Sequence, residues 1–318
     1  MKKIFIIALS YIILVINSNL LAQEKDKLLK VGLLAPLTGE YEELGKSLLY
    51  SLQLALEEIG DEKIYIVPRD AGFNNKVKLN KAIKELNSIK HLKEKIILGG
   101  AVTIESFLEA IRSKMPELVE ILQRFGSPQI RNQGTIGGNL CTSSPIGDIA
   151  PVLLVLNSDL NLFGRNGYKK IKVKNFFKGY RKNVLKKNEI ISSIEIPYPD
   201  KKNKIFSWKL SKRYDQDIST VSLAINIQIQ NNIIKELHIA AGGVAATPKM
   251  LDKLSKRMLE KNLDDAIEFA IHNLENHIQP ISDLRGSSHY RLEAIKGLFR
   301  RLQICLNQDK KNLSIMEL

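Results

Sequence analysis

The segment Gly134-Thr135-Ile136-Gly137-Gly138-Asn139 carries the residue types of this chain best suited to gripping a charged ligand. Glycine lets a backbone turn through positive φ and lets a ligand come close. Successive backbone N–H groups presented in that way can cradle phosphate oxygens. Thr135, Asn139, Thr142 and Ser143 add hydroxyl and amide groups, and Asp148 can accept hydrogen bonds from a ribose or a base. A Gly-Gly pair beside polar residues is also what a plain tight turn looks like, so the segment alone leaves both readings open. Other chemistry is thinner. Cys141 and Cys305 fall short of the cysteine quartet that usually holds an iron–sulfur cluster, and they make no disulfide framework. His272 and His277 are five apart, on different faces of any helix, and give no metal spacing.

The elements that must position this segment read as a mixture of strands and helices. Lys30–Ala35 is a short buried strand and Pro36–Gly39 a turn. Ser47–Ile59 repeats Leu48, Leu52, Leu56 and Ile59 at helical spacing, with Gly60 as a stop. Lys63–Val67 is a second strand broken by Pro68, which completes a β-α-β unit with parallel strands. Lys76–Lys95 is a Lys-rich, helix-compatible stretch whose charge run is a solvated face. Ile96–Thr103 reads as strand and turn, and Thr103 can cap a helix with Glu105 in its first turn. Ser113–Phe125 reads as an amphipathic helix. Asn166-Gly167 is a hairpin signal within Asp159–Val173. Val221, Leu223, Ile225, Ile227 and Ile229 alternate as on a half-buried strand, which Asn231-Asn232 turns into Ile233–Ala240. Helical patterns fill Leu251–Asn276 and Tyr290–Leu306.

Composition sets broad limits. A chain of 318 residues suggests two or three compact units, and 44% hydrophobic with 26% charged residues is ordinary for a globular protein. The net charge of +14 invites an anionic partner, but the basic residues are spread along the chain without a stripe of Arg and aromatics, which argues against nucleic acid. Lys2-Lys3, the apolar run Ile4–Ile16 and the small exit at Ala22 describe an export signal over residues 1–22. That run is too short for a comfortable membrane span, so no stable span is expected once the signal is cleaved.

Two resemblances sharpen this reading. The string KVGLLAPLTGEYEELGKSLLYSLQLALEEI, residues 30–59, resembles the opening of type I periplasmic solute-binding proteins, and with Asp70-Ala71-Gly72 the likeness spans residues 28–90. The string RFGSPQIRNQGTIGGNLCTSSPIGDIAPVLLVL, residues 124–156, resembles the flavoprotein part of the molybdenum hydroxylases, the xanthine and carbon monoxide dehydrogenases. Four further strings keep that family's order: residues 176–199, 208–227, 240–250 and 283–302. The resemblance implies an α+β chain: a partial FAD-binding domain of the vanillyl-alcohol-oxidase-like fold over residues 91–228, then a small α+β C-terminal domain over 229–308, both preceded by the β-α-β fragment. By position it implies that Phe125 lies near the flavin. Thr135, Ile136, Gly137, Gly138 and Asn139 line the FAD phosphates, and Thr142 and Asp148 complete that side. Ile191 packs near the isoalloxazine ring, and Lys209 reaches the FAD. It further implies that Tyr180, Arg181, Arg213 and Asp215–Asp217 shape loops where a nicotinamide docks; a surface charge cluster is the other reading of those residues. The implied partners are a molybdenum-cofactor subunit and an iron–sulfur subunit, with electrons leaving FAD for NAD or another acceptor.

One departure stands out. The resembled family has a first glycine loop of the type GGTD some fifty residues ahead of Ala101-Val102-Thr103, and this chain has none there. Gly99-Gly100 lies too close to Phe125 to be that loop, and Glu85–Lys90 is a plausible junction between the two resemblances. The alternatives are an exported solute-binding or cell-envelope protein, and a non-functional gene fusion. The export signal implies a periplasmic location, whereas the flavoprotein family is usually cytoplasmic.

Overall fold

The computed structural model describes residues 29–35, 37, 42–59, 64–70, 84–164 and 167–308. These fall into two units, one within residues 1–80 and one within 81–318. The expected export signal, Pro36, Gly39 and Gly60 lie outside the described residues.

In the first unit β1 (Leu29–Ala35), α1 (Glu42–Ile59) and β2 (Ile64–Asp70) follow one another, and the strands pair in parallel from Leu29↔Ile64 to Ala35↔Asp70. A parallel pair cannot be joined by a tight turn, and α1 is the crossover. The β-α-β reading holds. However, β2 runs through Pro68, which pairs with Leu33. In a two-stranded sheet each strand keeps an open edge, where the N–H that proline lacks costs no ladder bond.

The second unit begins with β3 (Ile89–His91), β4 (Lys95–Gly99), α2 (Ile104–Ile111), a 3-10 turn at Pro116–Leu118, α3 (Val119–Gln123), α4 (Pro128–Gln133), α5 (Ile136–Cys141) and α6 (Ile149–Val155). It continues with β5 (Asp159–Gly164), β6 (Gly167–Lys172), β7 (Phe177–Gly179), β8 (Lys182–Asn183) and β9 (Ile190–Pro197). Strands β3, β4, β9, β5 and β6 form one antiparallel sheet in that order, so β9, the last in sequence, is the central strand. Ile96, Leu98, Leu160, Leu162, Ile194 and Ile196 point from the sheet into one core with Phe107, Leu108, Ile111, Ile136, Leu140 and Leu153 of the helices. Thr103 caps α2 as expected, accepting from Ser106 N–H at 3.1 Å. The helix expected over Ser113–Phe125 is shorter. Pro116 heads the 3-10 turn, since proline has no N–H and fits only a helix's first turn, and α3 starts at Val119.

A second sheet, β10 (Lys204–Leu210), β11 (Val221–Gln230), β12 (Ile233–Gly242) and β13 (Lys249–Met250), is antiparallel throughout. The helices α7 (Asp252–Met258), α8 (Leu263–Asn273) and α9 (Ser288–Asn307) follow it. Asn231 and Asn232 both take positive φ and close the β11–β12 hairpin, as their types suggest. The alternation in β11 separates large from small residues rather than buried from exposed ones, because Val221 to Ile227 is buried on both faces. Leu223, Ile225 and Ile227 join the α7–α9 core, while Ala224 and Ala240 join the core of the first sheet. The small face lets α6 lie close: Pro151 stands 3.6 Å from where a Cβ on Gly242 would be. The expected division at 228/229 falls within β11, a strand whose two faces serve the two cores. The helical segments expected over Leu251–Asn276 are α7 and α8, parted at Glu260, whose φ is +60°.

Candidate functional site

Thr135 is the N-cap of α5, its hydroxyl oxygen accepting from Gly138 N–H at 3.0 Å. The turn after β4 lies along this segment. Ile136 N–H donates to Val102 O and Gly137 N–H to Gly100 O, both at 3.0 Å, while Asn139 N–H donates to Thr135 O at 2.9 Å. All four consecutive N–H groups from Ile136 to Asn139 are therefore taken by protein acceptors. The expected cradle of free N–H groups does not form, because the segment is the capped first turn of a helix braced against a second loop.

The glycines divide by role. A Cβ on Gly137 would collide with the carbonyl oxygen of Gly100, and one on Gly100 with that of Ile191. These two permit backbone to meet backbone inside the protein. Gly138 is different: it is exposed, and a Cβ there would meet only Thr135 Oγ1, at 2.8 Å. Beside it the half-buried Asn139 carboxamide makes no hydrogen bond among the described residues. The exposed Thr142 turns its hydroxyl inward, donating to Asn139 O at 2.7 Å. Asn183, in β8, closes the far end of α5 by donating to Cys141 O and Ser143 Oγ, each at 3.0 Å. Cys141 is itself exposed, but the chain packed around its sulfur pushes the thiol up, which disfavours a thiolate.

Asp148 and Lys209 meet in the interior. Lys209 Nζ reaches Asp148 Oδ2 at 2.8 Å and the carbonyl oxygens of Arg124 and Asp217 at 3.0 Å each. An ammonium has three protons, and here all three have protein acceptors. The other carboxylate oxygen of Asp148 accepts from the Ser219 hydroxyl. Arg124 in turn donates to Lys209 O at 3.2 Å and to Tyr214 O at 3.1 Å, with its guanidinium 4.8 Å from the Tyr214 ring. Phe125, next to it, packs partly buried on the first core, and Ile191 is buried in that core. Tyr180 and Arg181 stand exposed between β7 and β8, and Arg213 and Asp215 stand exposed in the β10–β11 loop.

Two arginines that carry much of this framework have no signature in the sequence. Arg131 is buried, donating to Glu105 Oε2 at 2.6 Å and Gln123 O at 2.6 Å, which locks α4 to α2. Arg291, on α9, is fully buried and donates to Thr220 O, to Gly243 O at 3.3 Å and to Asp283 Oδ1 at 2.6 Å. Neither stands in a pattern that marks a buried cation, because the groups that each one meets lie elsewhere in the chain. No cluster of metal-ligating side chains exists among the described residues, and none of their helices is long and apolar enough to cross a membrane.

Residues 69–199 match the FAD binding domain in molybdopterin dehydrogenase, and residues 206–306 match the CO dehydrogenase flavoprotein C-terminal domain. The glyceraldehyde dehydrogenase medium chain of Sulfolobus acidocaldarius is 31% identical over 219 residues, which cover 68% of this chain and 77% of that one. This chain belongs to the molybdopterin dehydrogenase flavoprotein family. Xanthine dehydrogenase/oxidase of Gallus gallus is 32% identical over 203 residues, 58% of this chain but only 15% of that protein, so this chain corresponds to a small part of the xanthine dehydrogenases it matches. Among solved structures, a carbon monoxide dehydrogenase from Hydrogenophaga pseudoflava shares the fold with a TM-score of 0.67 at 20% identity, over 88% of this chain and 96% of that one. The flavoprotein match starts at residue 69, inside β2 and ahead of the expected start at 91. It ends at 199, after β9, and the match to the C-terminal domain begins at 206, within β10. The solute-binding resemblance of residues 28–90 is not supported.

Proposed function

We propose that this chain is the FAD-carrying subunit of a molybdenum hydroxylase, passing electrons from iron–sulfur clusters on a partner subunit, through FAD, to NAD or another acceptor. The observation that carries the reading is the pair of flavoprotein domains in family order, with 77% of a medium chain covered. The site fits such a ligand on its outer side. Gly138 is exposed with only the Thr135 hydroxyl close by, that hydroxyl keeps its own proton, and the Asn139 carboxamide has no hydrogen-bond partner among the described residues. In this reading Thr135 and Asn139 hold the FAD phosphates, with Gly138 leaving room and Ile136 and Gly137 bracing the turn from beneath. Phe125 and Ile191 form the apolar wall toward the ring, and Thr142 fixes the Asn139 backbone. Asp148 and Lys209 act from behind: they hold the Arg124–Phe125 segment and the β10–β11 loop in place rather than offering a free charge. FAD, when bound, supplies two-electron redox chemistry that no side chain of the protein can provide.

The grip is one-sided. Of the three Gly-Gly pairs in the chain, at 99–100, 137–138 and 242–243, none continues into Thr-Asp. Each charge-assisted hydrogen bond lost from a second loop weakens binding by ~1.5–3 kcal/mol, about tenfold or more. The test is a fluorescence titration of the purified full chain with FAD, with circular dichroism as the control for folding. Saturable uptake with Kd in roughly the micromolar range is expected. A folded chain that takes up no FAD at millimolar concentration overturns the reading.

A further inference from the structure

The loop between β10 and β11, residues 211–220, is held from two sides. On one side Arg124 donates to Tyr214 O, Lys209 to Asp217 O, and Ser219 itself donates to Asp148. On the other side the ties come from α9 and the turn ahead of it. Arg291, fully buried on α9, donates through Nη1 to Thr220 O. Lys212 Nζ donates to Leu284 O at 2.8 Å, and Thr220 Oγ1 to Arg285 O at 3.3 Å. Arg285 Nη1 stands 3.7 Å from Asp217 Oδ1. The turn that supplies these partners closes on Asp283. Its Oδ1 accepts from Arg285 N–H at 2.8 Å, from Gly286 N–H at 3.2 Å and from Arg291 Nη2 at 2.6 Å. One carboxylate thus shapes the turn and answers the buried guanidinium.

The loop depends on such ties. Residues 212–216 and Ile218 are exposed, and Gln216 takes a φ of +52°. Exposed backbone in an uncommon conformation gains entropy by leaving it, so fixed partners must hold it there. Arginine suits the task, because its planar fork meets carbonyl and carboxylate oxygens at once in one set geometry. What the loop touches gives the ties a function. Tyr214 lies against Arg124, its ring 4.8 Å from the guanidinium, and Arg124 precedes Phe125, read above as apolar wall toward the flavin ring. We propose that Arg291 and Asp283 are positioning residues for the flavin: through the turn Asp283–Gly286 they hold the β10–β11 loop against the Arg124–Phe125 segment. The proposal rests on the FAD reading and extends the site to α9, a helix that contributes nothing to the glycine segment.

The full chain is first loaded with FAD. A folded parent that takes up none fails the FAD reading, and this proposal with it. With FAD bound, Arg291→Lys, Asp283→Asn and Lys212→Gln are compared with the parent well below their melting temperatures. Amide exchange read by mass spectrometry follows the loop, and visible circular dichroism follows the surroundings of the flavin ring. In Arg291→Lys and Asp283→Asn, exchange over residues 211–220 should speed up by about tenfold or more while β4 and β9 keep the parent's protection, and bound FAD should lose about half of its visible circular dichroism. A role confined to fastening α9 lowers the melting temperature and leaves both readouts at the parent's values. If neither variant folds, Lys212→Gln carries the test: Lys212 is exposed, and its loss removes a single tie and should give a smaller change of the same kind. Parent-like exchange in the loop of the folded variants, or faster exchange beside an unchanged flavin band, overturns the proposal and leaves the FAD reading standing.

Discussion

Lys209 Nζ lies 2.8 Å from Asp148 Oδ2, with the two side chains only 2% and 9% exposed. This pair ties β10 to the start of α6, to the chain just before Phe125 and to the β10–β11 loop, since Arg124 and Asp217 supply its remaining acceptors. A buried ion pair adds little over a well-packed apolar pair, but removing one partner leaves an uncompensated charge in the interior. Asp148→Ala should therefore destabilise the chain by about 3–5 kcal/mol in urea unfolding. Asp148→Leu combined with Lys209→Met should recover most of that loss. If Asp148→Ala costs less than about 1 kcal/mol, Lys209 finds water in the folded protein and the tie is not structural.

Gly137 and Gly138 are adjacent yet answer to different neighbours. Gly137→Ala drives a methyl group into the Gly100 carbonyl, where only backbone can yield, and should cost about 1–3 kcal/mol or more. Gly138→Ala meets only the Thr135 hydroxyl and should cost about 1 kcal/mol, the loss of a helix cap. Thermal melts of both variants without FAD decide the matter. Equal losses would refute the division between a packing glycine and an open one.

Parts of this arrangement are legible in the residues and parts are not. Thr103 and Asn231-Asn232 act through local backbone chemistry, a helix cap and a two-residue turn, and both fold as their types dictate. The glycine segment was legible as a place where backbone comes close, but not what it comes close to. The partner of Gly137 is Gly100, 37 positions earlier, and a pairing at that distance leaves no local pattern. The same holds for β11. Its alternation shows that the two faces differ, yet a sheet covered on both sides separates large from small, which resembles buried-from-exposed when read along one strand. For Lys209 only the resemblance suggested a role, because its three acceptors come from positions 124, 148 and 217 and such distant partners leave no local pattern.

Asn139 is the side chain of the segment with a polar group and no hydrogen-bond partner among the described residues, so its removal separates binding from folding. Asn139→Ala should leave the unfolding midpoint within about 0.5 kcal/mol of the parent, as for a change that breaks no contact. FAD affinity should fall roughly tenfold, the value of one hydrogen bond to a charged phosphate. Thr135→Val should weaken FAD binding and also lower stability by about 1 kcal/mol, because it removes the cap as well. If FAD titrates Asn139→Ala and the parent chain alike, Asn139 does not touch the ligand.

Glu195 in β9 gives the acid limb of stability a specific origin. Burial pushes its carboxyl group up, but Asn161, Lys170 and Lys95, at 2.9, 2.8 and 2.6 Å, outweigh burial and bring it down to about 2 from an ordinary 4.5. A depressed carboxylate contributes stability that is fully present above its unfolded value and is lost as pH falls through the folded one. The contribution should therefore be whole at pH 7, decline below about 4.5 and vanish near 2. The shift alone sets a ceiling of roughly 3 kcal/mol. Glu195 is 12% exposed, but Lys95 and Lys170 are 36% and 48% exposed and water screens them, so about 1–2 kcal/mol is the expected size. Glu195→Gln should be less stable than the parent by that amount at pH 7, with the two converging as pH approaches 2. Urea midpoints measured across that range test it, and a gap that stays constant with pH would show that Glu195 acts through packing rather than charge.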